Sequence, residues 1–390
     1  MRILFIHNDY IKPSGEENAS NELAHLLEEH GHEIRWFKKT SADIHGFMGK
    51  LKAFSHGIYS PSAAKELSVA LDEFNPDVVQ VQNLYPFIST SIFKPLRRRG
   101  VPVVMRCPNY RLFCPNGLCL DKKGQVCERC FGSGKEMWCM LKDCESNISK
   151  SIGYALRNSY ARLSRNILDG VDMFIVQSEF QKAKFSAQGI DKDHIGIVPG
   201  ISPTIDGNYN YQIGEWVSFV GRVSPEKGIN EFIEAARICR NIQFKVAGNL
   251  DKSFKMPKYL PENVEFVGFL KGHDLNEFYM KSRIIVVPSK WYEGFPNVIV
   301  RGMLLGKPVI TTNIGAMQSI IKTNWNGVLV PPSNVDQLAS EIDSLFQNER
   351  KCRSLGEKGK KDALSKYSRE TIYSILMDIY NKAIFYRSKC

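Results

Sequence analysis

The chain has 390 residues, too many for one ordinary core and enough for two domains of usual size. Its 43% hydrophobic and 24% charged residues are those of an ordinary folded protein, which excludes a disordered chain. No apolar run reaches the roughly 18 residues that span a bilayer, and Ile3-Leu-Phe-Ile6 is too short for a secretory leader, so a cytoplasmic protein is expected. The net charge of +11 is unevenly spread: Lys94, Arg97, Arg98, Arg99, Arg106 and Arg111 follow one another with no acid between them, and the last forty residues are also base-rich. Such patches attract anionic headgroups, anionic substrates or nucleic acid, and equally describe a solvated basic face. No helix-turn-helix, zinc-finger or RNP-like pattern accompanies the charge, so nucleic acid is not expected as a partner.

In chain order, the strand Ile3 to Ile6 precedes a helix with apolar spacing at Leu23, Leu26 and Leu27 that ends at Gly31. Val78 to Val81, Val101 to Met105, Met173 to Val176 and Ile195 to Val198 read as further strands. Past the punctuation Pro199-Gly200-Ile201-Ser202-Pro203, strands are predicted at Val217 to Val220, Phe244 to Ala247, Val264 to Val267, Ile284 to Val287 and Val309 to Thr312. Helical patterns at Ile229 to Cys239 and Val335 to Phe346 sit among them. Near-continuous apolar strands alternating with helices predict α/β architecture: two Rossmann-like doubly wound domains facing a central cleft, with the boundary at 199/200.

Two loops carry chemistry. After Val217 to Val220, Gly221-Arg222-Val-Ser-Pro-Glu-Lys227-Gly228 brings two cations and exposed backbone N–H groups to a helix start, which favours a diphosphate. After Ile284 to Val287, Pro288-Ser-Lys-Trp-Tyr-Glu293-Gly294-Phe-Pro-Asn297 offers a carboxylate acceptor beside a glycine, suited to a polar ligand such as a sugar. Together they point to a sugar nucleotide. Trp291, Tyr292 and Phe295 read as aromatic packing of this loop, and Lys307 and Arg301 read equally well as surface charges. His7, ending the first strand, is either a base or a structural histidine.

Seven of the ten cysteines lie between Cys107 and Cys144. Cys114, Cys127, Cys130 and Cys144 form C-x12-C-x2-C-x13-C, with Cys119 and Cys139 as extra thiols. The Cys-Glu-Arg-Cys knuckle allows a structural zinc, while reduced thiols packing a long insertion, 107–144, is the alternative.

The chain resembles the GT-B-fold retaining glycosyltransferases of the glycosyltransferase family 4 type, including members that build bacterial surface polysaccharide. The likeness runs over nearly the whole chain. It is carried by Gly221-Arg222-Val-Ser-Pro-Glu-Lys227-Gly228, Trp291-Tyr-Glu293-Gly-Phe-Pro-Asn-Val-Ile-Val, Gly306-Lys-Pro-Val-Ile-Thr-Thr and Asn326-Gly-Val-Leu-Val-Pro-Pro. Val176-Gln-Ser-Glu-Phe-Gln181 and Asn109-Tyr-Arg-Leu-Phe-Cys-Pro-Asn-Gly117 add to it. The resemblance implies that Arg222 and Lys227 hold the donor diphosphate and that Glu293 lies by the donor sugar. Gly15, Gly221, Gly294, Phe295, Pro296, Asn297 and the Arg301 position would complete donor binding, with Tyr110, Arg111 and His7 on the acceptor side. It implies an acceptor-side domain at 1–199, a donor domain at 200–367 and a helical segment at 368–390 that returns to the first domain.

The reaction so implied moves a sugar, with retention, from a nucleoside diphosphate sugar to a saccharide, lipid-linked in surface polysaccharide synthesis. It would run on the inner face of the cell membrane. The departing diphosphate takes the acceptor proton, so no cofactor or catalytic metal is required, and no Asp-x-Asp motif closes a strand. Three departures stand out. The second Glu of the family's Glu-x7-Glu pattern is Arg301, which cannot accept a hydrogen bond from a ribose; Pro108 stands where many members have a His; and Gly315-Ala316-Met-Gln-Ser319 lacks a customary Glu. They leave two other readings open: a sugar-nucleotide epimerase or phosphorylase-like enzyme on the same architecture, and a nucleotide-sugar-binding protein without turnover.

Overall fold

The computed structural model describes residues 1–10, 15–132, 134–201 and 212–389. Ser14, Ser202 and Pro203, which the sequence places at a phosphate-side loop and at the domain boundary, lie outside the described residues. The chain divides into two units: Met1–Lys122, Cys127–Ile201 and Ile372–Cys390 make the first, and Ser202–Thr371 with Lys123–Val126 the second.

The first unit is built on a six-stranded parallel sheet of β1 (Arg2–Asp9), β2 (Glu33–Thr40), β3 (Val78–Asn83), β4 (Val103–Arg106), β5 (Met173–Val176) and β6 (Ile195–Ile197). Their order is β2-β1-β3-β4-β5-β6. β3, β4 and β5 are buried along their whole length; β5 is an unbroken apolar run, while β3 and β4 also bury Gln80, Gln82, Asn83 and Arg106. One face receives Leu23, Leu26 and Leu27 of the helix Gly15–Glu29. The same cluster holds Ile372, Leu376, Ile379 and Tyr380 of the last helix, Arg369–Ser388. That helix is fixed by polar contacts as well. Tyr380 donates from its hydroxyl to the buried Gln80 amide oxygen of β3, and Arg387 pairs with Asp172 at 2.9 Å. Gly196 on β6 is a glycine for steric reasons, since a Cβ there would come within 2.4 Å of Ile379 Cδ1.

The second unit repeats the design with β7 (Trp216–Val220), β8 (Phe244–Ala247), β9 (Val264–Gly268), β10 (Ser282–Val287), β11 (Val309–Thr312) and β12 (Val328–Val330). Its parallel order is β12-β11-β10-β7-β8-β9. Strand order therefore reverses between β7 and β10 here and between β1 and β3 in the first sheet. Loops part at such points, and open α/β sheets bind ligands there. β2 and β12, both at sheet edges, have no counterpart among the strands expected from sequence. Among the described residues no helix is long and apolar enough to cross a membrane.

Candidate active site

In the second unit, the loops that follow the neighbouring strands β7 and β10 are locked together. Gly228, at φ +79°, is the hinge of this contact: a Cβ on it would fall 1.9 Å from the Pro288 carbonyl oxygen. Only glycine permits both that backbone and that approach. The Lys290 amide donates to the Glu226 carbonyl at 2.9 Å, and Lys290 Nζ reaches Glu231 at 2.8 Å. A short turn, Pro225–Lys227, then delivers Lys227 to the start of the helix Ile229–Ile238.

Lys227 Nζ lies 2.7 Å from Glu293 Oε2 and 5.4 Å from the centre of the Trp291 ring. Glu293 is 6% exposed, and its other oxygen accepts from the Ser289 hydroxyl. A buried carboxylate held by an ammonium and a hydroxyl is preorganised, and its loss would leave Lys227 without its ion pair. Arg222 is half exposed and contacts Glu226 and, at 3.5 Å, Asp251. The structure thus brings Lys227 and Glu293 into direct contact and sets Arg222 on the same loop. Gly221, at φ +135°, has open space on its Cβ side, and its carbonyl lies where a Cβ on Gly248 would fall.

Gly294, Phe295, Pro296 and Asn297 lead into the helix Asn297–Leu304, capped by Pro296. The half-buried Phe295 ring packs edge-on against Tyr367, 5.4 Å between centres. Arg301 hydrogen-bonds Asn276 of the neighbouring helix Gly272–Lys281. Lys307 is no surface charge: it is 1% exposed and donates to the carbonyls of Gln212 and Met280 at 2.9 and 2.6 Å, and burial pulls its ammonium down to about 8.

In the first unit, Gly15 is the exposed first residue of its helix, with open space around it. Tyr110 is buried in an aromatic cluster with Phe131 and Phe185. Arg111 instead points to the sheet's carboxyl edge, donating to the Tyr10 hydroxyl at 3.1 Å and to Asn83 Oδ1 at 3.3 Å. Burial alone would lower its pKa, but Tyr10 and Glu16 beside it push it above its ordinary value. His7 is 1% exposed; neither ring nitrogen has a hydrogen-bond partner, and Nε2 stands 3.5 Å from Asp9 Oδ1. Burial lowers its pKa, which keeps it neutral at physiological pH.

Ligand atoms of His7, Asp9 and Glu17 lie within 4.8 Å of one another, the one such set among the described residues. Of the four thiols named from spacing, Cys114, Cys127 and Cys144 all lie close enough to Cys130 to help burial push its thiol up to about 12. Cys114 is hydrogen-bonded by Cys119, which draws its thiol down to about 7, and a hydrogen bond with Cys139 lowers Cys144. The sequence reading passed over Ser289, Tyr10, Gln82 and Asn83. A signal for the last two was present, since three amides, Gln80, Gln82 and Asn83, interrupt the valines of β3.

Two parallel-sheet α/β units of this topology are the GT-B fold found in solved glycosyltransferases. A UDP complex of Alr3699/HepE from Anabaena superposes with a TM-score of 0.66 at 17% identity, over 97% of this chain and 99% of that one. Residues 213–362, within the second unit, match the family description "Glycosyl transferases group 1". The chain is 31% identical over 196 residues to the uncharacterized glycosyltransferase MJ1178 of Methanocaldococcus jannaschii, an alignment covering 48% of this chain and 54% of that protein. It is 30% identical over 183 residues to the capsular polysaccharide biosynthesis glycosyltransferase CapM of Staphylococcus aureus, covering 45% and 47%. The chain thus spans about half the length of these curated relatives.

Proposed function

We propose that the protein is a hexosyltransferase that moves a sugar, with retention and without a metal, from a nucleoside diphosphate sugar to a saccharide in bacterial surface polysaccharide synthesis. The observation that carries this reading is the Lys227–Glu293 contact, 2.7 Å long, at the β7/β10 switch point beside a helix start. An incoming diphosphate would draw Lys227 and Arg222 from their present acids, and Glu293 would turn to the sugar hydroxyls. As the glycosidic bond breaks, negative charge grows on the leaving diphosphate. Two fixed cations there lower the barrier because they stabilise the transition state more than the ground state. The family match over 213–362 and the likeness to CapM support the donor chemistry and the polysaccharide setting.

The acceptor in this reading is lipid-linked, and the enzyme works at the cytoplasmic face of the membrane. Support comes from the helix Gly46–Ile58, where Phe47 and Met48 are 78% and 72% exposed and Leu51 and Phe54 continue the apolar face beside Lys50 and Lys52. An exposed apolar ridge flanked by lysines suits an anionic bilayer surface.

Calorimetric titration with UDP, GDP and ADP, followed by incubation of the matching sugar nucleotides with a lipid-linked saccharide, tests the reading. Saturable binding of one diphosphate and appearance of a product with the donor's anomeric configuration are expected. Binding with no transfer to any acceptor would leave a sugar-nucleotide-binding protein, and donor isomerisation without acceptor would leave an epimerase.

A further inference from the structure

At the switch point of the first sheet, the carboxyl ends of β3 and β4 and the start of the helix Gly15–Glu29 enclose about 40 Å³, more than a single water requires. Its lining includes Arg106, Arg111, Gln82, Asn83, Asn109 and Glu16. Arg106 is 5% exposed and its Nη1 has no hydrogen-bond partner; with the Gln177 amide turned to its satisfied orientation, Nη2 donates there at 3.2 Å. Gln82 is 4% exposed, and neither end of its amide is satisfied. The lone acid of the lining, Glu16, already accepts from the Tyr10 hydroxyl at 3.0 Å and from Asn109 at 3.3 Å. Behind the wall, the buried Arg157 lies over the Tyr85 ring and adds a third cation. A buried guanidinium with an unused donor is costly unless something anionic completes it.

We propose that this cavity binds an oxyanion carried by the acceptor saccharide, a carboxylate or a phosphate, with Arg106 as its principal partner. Oxygens of the anion would accept from Arg106 Nη1 and Gln82 Nε2, and a neighbouring sugar hydroxyl would donate to Gln82 Oε1. The acceptor is then an acidic or phosphorylated sugar rather than a neutral one. This assignment rests on the transferase reading above.

The test is calorimetry on the full chain with glucuronate, glucose 1-phosphate, inorganic phosphate and, as the neutral control, glucose. Phosphate also suits Lys227, so the readout is the difference between the wild type and Arg106→Gln, which leaves the second unit untouched. Arg106→Gln is expected to weaken at least one anionic sugar by about tenfold or more while UDP or GDP binding is unchanged. Glu16→Gln, which removes the competing acid, is expected to tighten the same ligand. Loss for glucuronate alone assigns a carboxylate, and loss for the phosphates alone assigns a phosphate. The proposal is overturned if Arg106→Gln binds every anion as the wild type does, if glucose binds equally well, or if Glu16→Gln fails to tighten binding. Retained nucleotide binding with any of those results would sink this inference and leave the transferase reading standing.

Discussion

A single buried lysine gives a pH signature. Lys307 has a folded pKa of about 8 against an ordinary 10.5 because burial disfavours its charge. Below about pH 8 the ammonium is charged in both the folded and the unfolded chain, and the cost of burying it is fully present. Between about 8 and 10.5 the folded protein gives up this proton first, so the residue's contribution to stability rises with pH through that window. Buried tyrosines and thiols titrate in the same region, but they cancel in a comparison of wild type with Lys307→Met. Urea unfolding of the pair at pH 7 and pH 10 should show the wild type gaining by up to about 3 kcal/mol relative to the variant. A difference that stays flat would contradict the burial account. In the sequence, Lys307 was indistinguishable from a surface charge. What hides it is that its two partners, the carbonyls of Gln212 and Met280, are distant in the chain and have no side-chain signature.

At the scale of elements, the central strands and the edge strands β6 and β9 were legible, while the edge strands β2 and β12 were not. β5, β7 and β10 hold largely apolar runs at Met173 to Val176, Trp216 to Val220 and Ile284 to Val287 because both of their faces are covered. β2 has only one buried residue, Phe37, among Glu33, Arg35, Lys38 and Lys39, and β12 has three residues in all. β2 needs little apolar surface because it pairs with β1 alone, and β12 is too short to show a period, so neither pattern stands out from its surroundings. The last helix makes a stronger point. Leu376 is fully buried on the first sheet although nearly the whole second unit separates them in sequence. Leu376→Ala should cost the first unit about 2–5 kcal/mol through the cavity it leaves. Tryptophan fluorescence cannot isolate this, but hydrogen exchange can: protection should fall in β1, β3 and β4 and hold in β7 and β10. Equal loss in both units would contradict a helix that serves the first.

For the molecule as a whole, the half of the site built on local motifs was readable and the half built on long-range packing was not. Gly221 to Gly228 and Pro288 to Asn297 announce themselves because glycines, prolines and charges must sit at fixed offsets after a strand. Their joining through Gly228 and Pro288, and the Ser289 hydroxyl on Glu293, come from two loops meeting in space. The same holds for the cysteines: spacing singled out Cys114, Cys127, Cys130 and Cys144, while the hydrogen bonds of Cys114 with Cys119 and of Cys144 with Cys139 come from the fold. Tyr110 and Arg111 are neighbours in sequence, yet one is core and the other faces a cavity.

The most direct measurement is sugar transfer by Lys227→Ala, with the cognate donor fixed by calorimetry and folding checked by thermal melting. Removing a cation that stabilises charge on the leaving group should cut kcat by about 100- to 1,000-fold, while the melting curve stays cooperative and shifts down because the buried Glu293 loses its ion pair. Turnover at the wild-type rate in a folded Lys227→Ala protein would contradict the account.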